Sequence, residues 1–229
     1  MWGLIRPLNL RSLSFRKFRA HLSMILETVC VGSMQVNCYI LASSPDGQAI
    51  IIDPGEEKQK IERVLKKYNL KAGFIINTHG HIDHIGCDDK FGVPIYIHRQ
   101  DSALLENPEL NLSAFLTSPF SLKSNVKILE DKDNIELGQI QLEVIHVPGH
   151  TPGGISLLMK KPKGNILFTG DTLFYHGIGR TDFPGASEAL LIKSIKMRLF
   201  KLSDDIIVYP GHGPSSTIGE EKKNNPFLN

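Results

Sequence analysis

The chain has little with which to staple itself or to enter a bilayer. Of its 229 residues only three are cysteines, Cys30, Cys38 and Cys87. They make neither a disulfide framework nor a Cys-x-x-Cys pair, so reduced thiols in a cytosol-like compartment are expected. No apolar run approaches the ~18 residues that a membrane span requires, which excludes an integral membrane protein. Acidic residues are missing from the first 23 positions, which carry Arg6, Arg11, Arg16, Lys17 and Arg19. The remainder therefore holds 21 basic against 24 acidic residues, a mildly acidic body without the basic patch of a nucleic-acid surface. Apolar residues are not scarce: 41% hydrophobic and 22% charged residues mark a globular chain, not a disordered one. A chain of this length buries roughly 70% of its unfolded surface and folds without staples.

The first 23 residues mix Leu4, Ile5, Leu8, Leu10, Leu13, Phe15 and Phe18 with arginines and serines. An organelle transit peptide has this composition, and a secretory signal would need an uninterrupted apolar core. The alternative is that translation starts at Met24 and that residues 1–23 are a disordered extension. The expected organisation is a basic leader over 1–23 and one domain over 24–229. A cytoplasmic location is expected, or a mitochondrial or other organellar one if the leader is a transit peptide.

Short runs rich in Ile and Val recur along the body and are bounded by Gly, Pro, Asn or Asp. These are Ile25–Val31, Val36–Ala42, Ala49–Asp53, Gly73–Asn77, Val93–Ile97, Gln139–His146, Ile155–Met159, Asn165–Phe168 and Asp205–Tyr209. Runs of four to eight such residues read as strands. Two helices interleave with them. Ile61, Val64, Leu65 and Tyr68 share one helical face, and Leu191, Ile195, Leu199 and Leu202 form the stripe of a second helix from about Ser187 to Leu202. Residues 100–125 give no clear pattern and are read as short helix and loop. Many strands with interspersed helices predict a layered α/β domain.

The chemistry is concentrated in Thr78-His79-Gly80-His81-Ile82-Asp83-His84, four candidate metal ligands within six residues directly after a predicted strand. In an extended chain His79, His81 and Asp83 share one side, and His84 joins them only if the chain curls. One ion seldom takes four ligands from so short a stretch, because neither tetrahedral nor octahedral geometry can be met so locally. Two neighbouring ions sharing the loop fit better. Three further strand-end turns offer completions: His150 in Pro148-Gly149-His150-Thr151-Pro152-Gly153-Gly154, Asp171 in Phe168-Thr169-Gly170-Asp171-Thr172, and His212 in Tyr209-Pro210-Gly211-His212-Gly213-Pro214.

The His-x-His-x-Asp-His cluster followed at long spacing by His150, Asp171 and His212 resembles the metallo-β-lactamase superfamily. Within it, the chain is most similar to short glyoxalase II-like (hydroxyacylglutathione hydrolase-like) hydrolases. That closeness is carried by Pro148 to Gly154, by Phe174 to Phe183 with its Gly-Arg-Thr-Asp-Phe end, and by the tail from Gly211 through Asn225-Pro226-Phe227. The resemblance implies an αββα sandwich of two mixed β-sheets flanked by helices, with metals at one edge. It implies that His79, His81 and His150 bind a first ion, that Asp83, His84 and His212 bind a second, and that Asp171 bridges them. Asp53, in Ile52-Asp53-Pro54-Gly55, would support the metal loop.

Two ions of this kind, zinc by default with iron or manganese as alternatives, would yield a metal-bound hydroxide near neutral pH. Asp83 would also orient it by accepting a hydrogen bond. The expected substrate is a small-molecule thioester of the S-D-lactoylglutathione type, without nucleic-acid or membrane partners, on a monomer or homodimer. Full-length glyoxalase II enzymes append a helical domain that holds glutathione, whereas 17 residues follow His212 here, so the thiol carrier stays open. A mononuclear-iron persulfide dioxygenase has the same seven positions and a similar Gly-Arg-Thr-Asp-Phe segment; a nuclease of the RNase Z type is a third reading. Cys87, His98 and His146 are expected to be structural. His176 is assigned to a pocket lining or a surface loop, and Arg180 to a substrate carboxylate or an ion pair with an acid such as Asp182.

Overall fold

In the computed structural model, which describes residues 24–116, 118–122, 125–162 and 164–229, the first hairpin already sets the layering. Strand β1 (Ile25–Val31) pairs antiparallel with β2 (Val36–Ala42), and every residue of β2 is buried. Side chains alternate across a strand. Accordingly Cys38, Ile40 and Ala42 pack in one apolar cluster while Tyr39 and Leu41 pack in another. A strand apolar on both faces belongs between two other layers.

The chain continues through β3 (Gln48–Ile52), helix α1 (Lys58–Lys67), β4 (Lys71–Ile76), the short α2 (Ile82–Ile85) and β5 (Ile95–His98). Then come α3 (Ser102–Glu106), α4 (Ser113–Leu116) and β6 (Val126–Leu129), which complete a six-stranded sheet in the order β1-β2-β3-β4-β5-β6. Its first three strands are antiparallel and the rest parallel. A second mixed sheet has the order β14-β13-β10-β9-β8-β7. Its strands are β7 (Asn134–Leu137), β8 (Ile140–His146), β9 (Ile155–Lys161), β10 (Ile166–Gly170), β13 (Ile207–Pro210) and β14 (Ser216–Thr217). A small hairpin, β11 (Leu173–Phe174) with β12 (Gly177–Ile178), follows β10.

Helix α1 buries Ile61 and Leu65 against the outer face of the first sheet, together with Ile82 and Ile85 of α2. Tyr39, Leu41, Ile50, Ile52 and Ile76 meet Leu142, Val144, Leu157, Met159 and Phe168 between the sheets. Helix α5 (Glu188–Ser194), a π-helical turn (Ile195–Leu199) and α6 (Ile218–Asn224) cover the outer face of the second sheet through Leu191, Ile195, Leu199 and Ile218. Ser187 and Thr217 cap α5 and α6 by accepting N–H groups of Leu190 and Glu220. This is the expected αββα order of layers.

The structure also supplies what the sequence patterns lacked. Strands β6, β7, β11, β12 and β14 are short, and none was predicted. The unclear stretch around 100–125 contains α3 and α4. The predicted second helix changes from α to π pitch at Ile195. The leader expectation concerns residues 1–23, which lie outside the described residues. Among the described residues, no helix is long and apolar enough to cross a membrane.

Candidate metal centre

Strand β4 ends at Ile76, and its extension places Asn77, Thr78 and His79 at the edge of the sandwich, all buried. The backbone leaves the extended conformation at Ile82, where α2 begins with His81 as its N-cap. That turn is the curl His84 needs, and it changes the grouping expected of an extended loop. His79 and His81 converge with His150, whereas Asp83 converges with His84 and His212; His79, His84 and Asp171 form a third triad between them. In each triad the candidate donor atoms lie within 4.8 Å of one another. All seven sequence-predicted residues thus meet at one edge. His150 arrives from the turn between β8 and β9, Asp171 from the end of β10, and His212 from the turn after β13.

Most of the imidazoles are locked in one tautomer from behind. His84 donates Nδ1–H to Oδ2 of Asp53 at 3.0 Å, His150 to the carbonyl of Arg180 at 2.7 Å, and His212 to the carbonyl of Met34 at 2.9 Å. His79 Nδ1 faces the Thr78 hydroxyl at 3.2 Å, and that hydroxyl donates onward to Asp53. Each leaves an Nε2 lone pair, the arrangement that prepares histidine for a cation. His81 instead turns Nδ1 inward, 3.0 Å from Nε2 of His150. His84 Nε2 lies 3.3 Å from Asp171 Oδ1, and His212 Nε2 lies 3.4 Å from Asp83 Oδ2 and 3.5 Å from Asp171 Oδ2.

Three of these inward atoms, Nε2 of His79, Nε2 of His84 and Oδ1 of Asp171, are buried without a hydrogen-bond partner. An orphaned buried acceptor is costly, and several aimed at one another fit a site built for cations. The electrostatics agree. Burial lowers His79 well below the ordinary histidine value and, with His150 beside it, lowers His81 to about 3, so both present neutral rings. Burial also opposes a charge on His84 and His212, but carboxylates outweigh it. Asp83, Asp171 and Asp53 raise His84 well above its ordinary value; hydrogen bonds to Asp171 and Asp83 raise His212 to about 10. The carboxylate end of the cluster thus attracts positive charge strongly enough to hold protons where no other cation neutralises it.

Several positioning groups escaped the sequence reading. Asp53 does hold the loop as the resemblance implied, through Thr78 N and Oγ1, both at 2.7 Å, as well as His84. Asn37 and Tyr39 of β2 were not foreseen. They bind the His212 turn across the two sheets: Asn37 Nδ2 donates to the carbonyls of Pro210 and Gly213, and Tyr39 OH donates to that of Pro210 at 2.6 Å. Asp101 was also missed; its carboxylate accepts N–H groups of Gly80 and Gly153 and the hydroxyl of Thr151. Burial raises the Asp101 carboxyl, against these three hydrogen bonds. Asn37, Tyr39 and Asp101 stand in no recognisable motif.

The remaining candidates lie outside the three triads. Cys87 is buried. His98 and His146 stack at 4.1 Å between ring centroids and belong to none of the three triads. His176 is paired with Glu220 of α6 at 2.7 Å, and Arg180 forms a two-bond pair with Asp182 while lying 4.4 Å over Phe183. The Phe183 ring in turn meets His81 edge-on at 5.3 Å, which puts it on the wall of the site.

Residues 31–212 match the model of the metallo-beta-lactamase superfamily, and the chain belongs to that family. Among its relatives is the hydroxyacylglutathione hydrolase GloC of Haemophilus influenzae, 37% identical over 219 residues that cover 90% of this chain and 99% of GloC. Among solved structures, BLEG-1 B3 metallo-beta-lactamase is 37% identical with a TM-score of 0.81, covering 89% of this chain and 99% of BLEG-1. TTHA1623 in a di-iron-bound form is 34% identical with a TM-score of 0.76, covering 88% and 100%. ETHE1 from Myxococcus xanthus is 27% identical with a TM-score of 0.71, covering 89% and 84%. The chain is thus a hydrolase-superfamily enzyme with a His/Asp cluster fit for metal ions.

Proposed function

We propose that this protein is a two-metal thioesterase that hydrolyses small thioesters of the S-D-lactoylglutathione type. One observation carries the reading: five imidazoles and two carboxylates converge in two triads, His79, His81 and His150 on one side and Asp83, His84 and His212 on the other. Asp171 lies between them, 3.3 Å from His84 and 3.7 Å from His150. The near full-length likeness to GloC supports the thioester substrate, and the di-iron form of TTHA1623 supports a pair of ions.

Bound there, two cations would supply Lewis acidity and lower the pKa of a water toward neutrality; zinc remains the default, with iron or manganese as alternatives. The protein's own contribution is positional. Asp53, Arg180 O and Met34 O fix the ring orientations of His84, His150 and His212. Asp83, the carboxylate of the α2 turn, is placed to accept a hydrogen bond from the attacking water and orient it. Phe183 offers an apolar wall beside His81 and His150. No side chain is needed as a covalent nucleophile, because the water attacks the thioester carbonyl directly.

The test is turnover of S-D-lactoylglutathione and several other acyl-thiols by purified protein, with a metal-stripped control. Parallel assays use a β-lactam and, with oxygen uptake, a glutathione persulfide. Metal-dependent thioester hydrolysis above the other two activities is expected. Oxygen-dependent persulfide turnover on a single iron, with no thioester cleavage, would replace the thioesterase with a dioxygenase.

A further inference from the structure

The two loops that carry the first triad come from distant parts of the chain, yet they share one buried carboxylate. Asp101 sits at the end of the short 3-10 turn Arg99–Asp101 and is fully buried. Its Oδ2 accepts the backbone N–H of Gly80 at 3.1 Å and the Thr151 hydroxyl at 2.7 Å; its Oδ1 accepts the N–H of Gly153 at 2.6 Å. Gly80 stands between His79 and His81, and Thr151 follows His150 directly.

The approach is tight. A Cβ on Gly153 would lie 2.6 Å from Asp101 Oδ1 and 2.5 Å from Asp101 N, so only glycine lets the turn reach the carboxylate. Three donors on two oxygens suit an acceptor-only group. An amide would keep one acceptor and point N–H groups at a donor. No hydrogen bond joins Asp101 to an imidazole among the described residues, so it acts through the backbone and Thr151.

From this geometry we infer that Asp101 is a positioning residue that sets the spacing of His79 and His81 against His150, and with it the affinity of the first ion. The inference rests on the reading of these histidines as ligands. A carboxylate that merely filled a core site would lower stability without regard to metal. One that sets ligand spacing instead weakens metal binding itself, and partners of this kind are worth roughly 10- to 100-fold in metal affinity.

The experiment uses the full chain, stripped with chelator and titrated with Zn²⁺ alone. Metal per chain is read by mass spectrometry, affinity by chelator competition, and Tm in both stripped and loaded forms. Asp101→Asn should bind the first ion about 10- to 100-fold more weakly, and its gain in Tm on loading should shrink. In a His212→Ala background, where the first triad is the intact one, Asp101→Asn should remove most of the remaining occupancy.

Thr151→Val, which deletes one of the three donors, should fall between wild type and Asp101→Asn. Thr151→Ser, which keeps the hydroxyl, should match wild type. Should Asp101→Asn not fold, Thr151→Val binding Zn²⁺ as tightly as wild type would overturn the inference. It is equally overturned if Asp101→Asn melts lower in both forms yet keeps the wild-type affinity and loading gain. Absence of Zn²⁺ binding by wild type would instead bring down the metal-site reading, and this inference with it.

Discussion

His84 and Asp53 meet at 3.0 Å, Nδ1 to Oδ2, at a depth where both side chains are almost wholly excluded from solvent. The same carboxylate holds Thr78 through its N–H and its hydroxyl, so one residue after β3 fixes both ends of the turn between β4 and α2. Asp53 itself takes a positive φ of 52°, a left-handed backbone that asparagine and aspartate tolerate better than bulky residues. The orientation of the His84 lone pair is therefore built into the junction between two strands of the first sheet.

Asp53→Ala should act mainly on the ion that Asp83, His84 and His212 would hold. With no acceptor behind Nδ1, the His84 ring can rotate or change tautomer. A loss of roughly 10- to 100-fold in metal affinity or turnover is expected. Metal per chain and kcat against wild type check it; unchanged second-ion occupancy would speak against this role.

His212→Ala separates the two enzymatic readings. In a two-metal thioesterase it leaves Asp83, His84 and the shared Asp171, a set that should hold its ion weakly. Turnover should fall on the order of 100-fold or more, since one electrostatic contact to a transition state is often worth that much. The ion at the first triad should remain. A wild type with a single iron that the variant retains, with oxygen-dependent turnover intact, would favour the dioxygenase.

Gly211→Ala probes crowding at the centre without replacing a candidate ligand. A Cβ there would come 2.2 Å from Asp171 Oδ1 and 2.9 Å from His84 Cε1. Because Asp171 lies between the triads, displacing it should lower occupancy of both ions. Metal content of the variant, measured beside its Tm, should fall further than stability does.

Chelation should lower Tm, and readdition of metal should restore it in a concentration-dependent way. A ligand that binds the folded state alone stabilises by about 2.7 kcal/mol at a hundred times its Kd. Comparing Zn²⁺, Fe²⁺ and Mn²⁺ for the size of the recovery and for restored turnover identifies the working ion. A Tm that ignores both chelator and metal would contradict a metal centre at this edge.

Phe168→Ala measures the sandwich itself. The ring is fully buried between the sheets, 5.0 Å from Tyr39 and 5.6 Å from Tyr209 between centroids. Removing it should cost about 3–5 kcal/mol, read as a shift in the denaturant midpoint. Tyr39 also holds the His212 turn, so some loss of second-ion binding should accompany it.

The sequence by itself determined which residues are candidate ligands in kind and where most of the strands that carry them run. Imidazoles and carboxylates at strand ends are conspicuous, and β1, β2 and α1 follow from short apolar runs and helical periodicity, which are local properties. Local pattern also misled: an extended reading of the loop grouped Asp83 with His79 and His81. The family resemblance had already divided the seven residues into His79, His81 and His150 against Asp83, His84 and His212; tertiary structure supplied the physical reason, because α2 starts at Ile82 and swings Asp83 and His84 toward His212. It also decided what stands behind the ligands. Asp101 meets Gly153 across 52 residues and Tyr39 meets Pro210 across 171. A hydrogen bond between residues so far apart leaves no periodicity in the chain; it exists only once two sheets are packed face to face.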